Sequence, residues 1–133
     1  MALHLKIVGF LSVLLALVHV IFPRYFKWDS ELRPLSLINQ QLMYVHTFFL
    51  AFVLLLTGLL LLYATGDIIG TRLGRQLAFG LFLFWGVRLG FQFFVYSPKL
   101  WRGKRFETTA HVGFACLWTY FTVVFFLVYF QAV

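Results

Sequence analysis

Three histidines, one arginine and one glutamine stand inside long apolar runs of this sequence: His19, His46, Arg88, Gln92 and His111. Imidazole nitrogen binds transition metals, and two imidazoles on facing helices can ligate haem iron from both sides. His19, His46 and His111 are therefore candidate metal ligands. His46 and His111, with His19 and Arg88, are candidates for holding a cofactor, either haem b or a transition metal. Guanidinium forks suit carboxylates, so Arg24, Arg88 or Arg105 could pair with haem propionates. The same group reads equally well as the seat of an amphiphile. Arg88, His46 and His111 would hold a polar headgroup or a quinone carbonyl, with Gln92, Trp85, Tyr44 and Trp118 around it.

Each part also has a plain structural explanation. A histidine near a membrane surface is more often a hydrogen-bonded packing residue, and an arginine near a helix end often snorkels to water. Proton transfer by a histidine tuned by Arg88 or Glu107 would make the chain an enzyme. However, the sequence has no nucleophile–base motif, no HExxH, no Gly-rich phosphate loop and no paired carboxylates on one helix face. The one cysteine, Cys116, rules out an intrachain disulfide and a CxxC motif. It follows His111 by about a turn in an apolar stretch, which suits packing. His4 lies at the opposite end of its helix from His19.

The elements that position these residues follow from composition. Of 133 residues, 62% are hydrophobic and 11% charged, against about 25% charged in a soluble domain. Asp, Glu, Lys and Arg are absent from Ile7 to Phe22, Gln40 to Gly66, Gln76 to Val87, and Thr108 to the C-terminus. About 20 apolar residues carry a helix across a hydrocarbon core. Backbone groups in lipid must be paired within the protein, and these runs lack the alternation of barrel strands. The expectation is an all-α, up-down-up-down four-helix transmembrane bundle in one domain. Its helices would cover about 5–22, 40–64, 76–96 and 108–130, with a retained first helix rather than a cleaved leader. Pro23 would end the first helix and Ser97-Pro98 the third. Thr65 to Gly74 would be a turn-rich linker.

Alternating directions bring the ends of helices 1 and 3 to the same membrane face as the starts of helices 2 and 4. All five polar residues then lie in one half of the bilayer. The stripes agree: Ser12, Ala16 and His19 share a face, as do Trp85, Arg88 and Gln92, and His111, Ala115, Trp118 and Thr122. Packed in sequence order, helices 2 and 4 are diagonal, and His46 would face His111.

The formal charge of +7 fits basic loops and anionic lipids better than a nucleic-acid partner. Arg24, Lys27, Arg33, Lys99, Arg102, Lys104 and Arg105 fall on the side of the cluster, against Lys6, Arg72 and Arg75 opposite. This asymmetry puts the cluster near the cytoplasmic face of a bacterial-type plasma membrane and both termini outside. The two hairpins echo one another: Pro23 with Trp28, and Pro98 with Trp101, each precede a helix bearing an early histidine. Gly86 and Gly90 form a GxxxG pair that could seat a partner membrane protein or a second copy. Three functions are open at this point. They are an accessory subunit or ligand-binding membrane protein, a b-type haem or metal protein using His46 and His111, and a quinone- or lipid-binding enzyme.

Overall fold

A computed structural model describes residues 1–96, 98–100 and 103–130 of the chain. Ser97, Trp101 and Arg102, invoked above for a helix end, a hairpin echo and loop charge, lie outside the described residues. Among the described residues all regular structure is helical. The elements are α1 (Ala2–Val18), α2 (Phe22–Tyr25), α3 (Trp28–Glu31), α4 (Leu37–Tyr63), α5 (Thr65–Gly70), α6 (Arg72–Phe94), a 3₁₀ turn (Pro98–Leu100) and α7 (Arg105–Phe130). Three of them, α4, α6 and α7, are long and apolar enough to cross a membrane, whereas α1 has 17 residues. Large apolar side chains stand exposed along these helices, among them Phe48, Phe49, Phe84, Phe91 and Val123. An apolar exterior of this extent is what a lipid-facing protein presents. The chain divides into two compact units, one of Leu3–Thr65 and one of Met1–Ala2 with Gly66–Val133.

In the first unit, α1 stops at Val18, four residues short of the expected end. Pro23 is the cause. Its ring would collide with the carbonyl four residues back, at His19, and it has no N–H to donate there. The chain tightens instead: Val20, Ile21 and Phe22 donate to Leu17, Val18 and His19, each three residues back. Pro23 itself sits in the first turn of α2, where a missing N–H costs little. Lys27 then takes a left-handed conformation, φ 55°, and starts α3. Trp28 is buried and meets Tyr44 of α4 edge-on at 5.4 Å.

α1 and α4 are antiparallel and touch backbone to backbone. A Cβ added to Gly9 would stand 2.8 Å from the Gly58 carbonyl oxygen, and one added to Gly58 would stand 2.7 Å from that of Gly9. Buried Leu5, Val8, Ser12, Leu15 and Ala16 flank this crossing on α1, and Leu54 and Leu61 flank it on α4. Their three- and four-residue spacing makes one stripe on each helix. The Ser12 hydroxyl donates to the Val8 carbonyl at 2.8 Å, so the stripe holds no unpaired polar group there.

In the second unit, most of the expected turn-rich linker is helical, as α5. The break falls at Thr71, which is extended and accepts from the Gly74 N–H at 2.9 Å. This N-cap starts α6 four residues before the expected Gln76. Gly74 is indispensable there, since a side chain would run into the backbone of Asp67 and Ile68. α6 and α7 are antiparallel. Phe79 meets Tyr129 at 4.7 Å, Phe82 meets Phe126 at 5.5 Å and Trp85 meets Trp118 at 4.8 Å, so one number rises as the other falls. Ala78, Trp85 and Gln92 are buried on α6; Trp118, Phe121, Phe125 and Val128 are buried on α7. Such spacing is that of a coiled-coil seam.

Candidate functional site

The seam of α6 and α7 carries the polar groups the sequence singles out in this half of the chain. Gln92 is their hub and is 6% exposed. Its Oε1 accepts from Arg88 Nη1 at 3.3 Å and from Trp118 Nε1 at 3.4 Å. Its Nε2 donates to His111 Nδ1 at 2.8 Å and to the His111 carbonyl at 3.4 Å. Guanidinium and indole N–H groups only donate, so the atom facing them must be the amide oxygen. The amide nitrogen therefore faces His111, and Nδ1 of that ring must accept. In this arrangement the imidazole proton sits on Nε2. Every hydrogen-bonding position of the Gln92 amide is used.

Arg88, one turn before Gln92, is half-buried. Its guanidinium carbon lies 5.3 Å from the Trp118 ring centre and 5.2 Å from that of Tyr96. Both fall within cation–π range. Tyr96 lies just past the end of α6, about 12 Å along the axis from Arg88 at helical rise. The arginine therefore reaches towards the helix end, as a snorkelling side chain does. Among the described residues, no carboxylate pairs with it. Its polar contact is the neutral amide of Gln92.

Aromatic rings wall the cluster. Trp85 and Phe114 each stack on Trp118, at 4.8 and 5.5 Å with interplanar angles of 20° and 17°. Phe121 meets Trp85 edge-on at 5.0 Å, and Phe93 meets His111 edge-on at 6.1 Å. Arg88, Gln92, His111, Trp85 and Trp118 thus form one constellation. Sequence reasoning missed Tyr96, Phe93, Phe114 and Phe121. Tyr96 continues the Arg88–Gln92 stripe by another four residues, and Phe114 and Phe121 continue that of His111 and Trp118. That periodicity is the signal by which they could have been found.

The remaining candidates belong to the other unit. His19 Nδ1 lies 2.7 Å from the Leu15 carbonyl, which can only accept, so the ring donates to its own helix. His19 also meets Phe22 at 4.6 Å. Tyr44 packs on Trp28. His46 is exposed. Among the described residues, no three or more His, Cys, Asp or Glu side chains stand together as a group that could hold a metal ion. On the expected partner face, Gly86 meets the Thr122 methyl at 3.8 Å, and Gly90 has no neighbour beyond its own helix backbone within 4 Å of where a Cβ would stand, among the described residues. Backbone-to-backbone helix contact is made by Gly9 and Gly58 instead. Compared with known proteins, the chain matches no family model, no curated protein and no solved structure.

Proposed function

We propose that this chain is a four-crossing membrane protein that binds the polar end of a membrane-resident amphiphile at Arg88. The carrying observation is the guanidinium itself. It stands in an apolar helix, within cation–π range of the Trp118 and Tyr96 rings, with one neutral amide as its polar partner among the described residues. A cation is expensive at membrane depth, and a guanidinium has more N–H donors than one amide oxygen can use. A ligand with acceptor oxygens, such as a lipid headgroup or a quinone carbonyl, would satisfy them. Gln92 holds Arg88 and His111 in register, and the tryptophans keep the arrangement rigid.

In this reading α1 is the fourth crossing. Its 17 residues span about 26 Å, somewhat under the roughly 30 Å core, and α2 continues the chain into the headgroup layer. The termini lie outside, and Arg88 lies in the cytoplasmic half of a bacterial-type plasma membrane. A subsidiary reading, an accessory subunit with a partner helix or second copy on α6, is favoured by the open space beside Gly90.

The test is mass spectrometry of apolar extracts from the detergent-purified chain. An amphiphile should accompany the wild type and the Arg24→Ala variant, and be lost from a well-folded, monodisperse Arg88→Ala variant. Equal retention by all three refutes the assignment.

A further inference from the structure

Arg88 has a second neighbourhood. It borders a shallow, largely open groove of about 460 Å³ along one face of α6, with Gly80, Leu83, Phe84, Val87 and Phe91. Among the described residues, Arg88 is the one polar side chain in that lining. Gly80 opens the groove, because among the described residues nothing beyond its own helix backbone lies within 4 Å of where its Cβ would be. Leu83, Phe84, Val87 and Phe91 are exposed walls that fall on the side of α6 turned away from the buried stripe of Ala78, Trp85 and Gln92. From Gly80 to Arg88 the helix advances about 12 Å, close to the roughly 15 Å of hydrocarbon in one leaflet. The charged end is the one that reaches towards the membrane surface.

We infer that the ligand is an anionic phospholipid, its phosphate on Arg88 and one acyl chain along the Gly80–Phe91 groove. This rests on the reading of Arg88 as a headgroup site and narrows it to one class. Charge complementarity selects the occupant. Phosphate oxygens match a guanidinium fork through charge-assisted hydrogen bonds, and an apolar groove of one-leaflet length matches an acyl chain. A zwitterionic headgroup also brings a cation, for which Arg88 has no paired carboxylate nearby among the described residues. A quinone carbonyl would use the donors without neutralising the charge.

The experiment is native mass spectrometry of the full chain in detergent, titrated with phosphatidylglycerol or phosphatidylcholine of identical chains. The wild type should take up phosphatidylglycerol at about tenfold lower concentration, the scale of one hydrogen bond to a charged group. Arg88→Gln should abolish that preference. Gly80→Leu fills the groove without touching Arg88. It should weaken long-chain phosphatidylglycerol about tenfold and leave the dihexanoyl lipid unchanged. Equal uptake of the two lipids by the wild type overturns the inference, as does a Gly80→Leu variant that binds long chains normally. If Arg88→Ala loses a co-purified amphiphile while the two phospholipids bind alike, headgroup binding stands and this narrowing falls. If Arg88→Ala loses nothing, both fall.

Discussion

Replacing Gln92 with leucine tests whether the polar seam is a structural unit. The side chains are similar in size, so packing changes little, but the amide and its four contacts disappear. One of these is short, at 2.8 Å to His111 Nδ1, and three are long, at 3.3 to 3.4 Å. Side-chain hydrogen bonds between membrane helices are worth about 0.6 kcal/mol on average and at most about 1.7. Crediting the short bond near the upper part of that range and the long ones below its mean gives a loss of about 2 kcal/mol. Trp118 is buried and its Nε1 would lose its Gln92 acceptor, which keeps the cost from being offset. Reversible unfolding in mixed micelles of dodecylmaltoside and dodecyl sulfate measures it. Trp118→Phe should cost about 0.5 kcal/mol less in the Gln92→Leu background than in the wild type, because its partner is already gone. A Gln92→Leu variant within about 0.3 kcal/mol of wild type, or strict additivity with Trp118→Phe, would refute the hub.

Gly58→Ala should destabilise by about 1–3 kcal/mol, because its Cβ meets the Gly9 backbone; Gly90→Ala meets nothing and should gain about 0.5–1 kcal/mol, both read by the same unfolding curves. Lys27→Gly should stabilise by up to about 1 kcal/mol, since a left-handed conformation at φ 55° is strained for a residue with a side chain. The purified protein should show no Soret band; a band lost on either His46→Ala or His111→Ala would move the assignment to a b-type haem protein. A periplasm-active phosphatase fused after the last residue should be active, and an inactive one would reverse the proposed orientation.

The polar seam was legible in the sequence because helical geometry is strongly periodic. Trp85, Arg88 and Gln92 must share a face of α6, His111 and Trp118 must share one of α7, and a short connection makes the two helices antiparallel. Helix ends were less legible. In the sequence Pro23 marks the end of the first helix, yet its effect reaches back to the His19 carbonyl, so α1 closes before His19. Gly66 and Gly70 read as turn residues but lie in α5, because the Thr71 cap rather than the glycines sets the break.

The glycine contacts show where pattern alone fails. Gly86 and Gly90 have the spacing of a dimer motif and no close backbone neighbour from another helix among the described residues, while Gly9 and Gly58, with no motif between them, make the tight crossing. A GxxxG spacing records one helix, whereas a close approach needs a fitting surface at the same height on a second helix, as Gly9 and Gly58 supply for one another. Composition by itself determined that the chain is helical and built for lipid, because unpaired backbone and charge are too costly in hydrocarbon. Tertiary structure decided which polar residues meet. Gln92 became the hub by lying opposite His111 and Trp118, and that depends on the register of two helices, which no local pattern encodes.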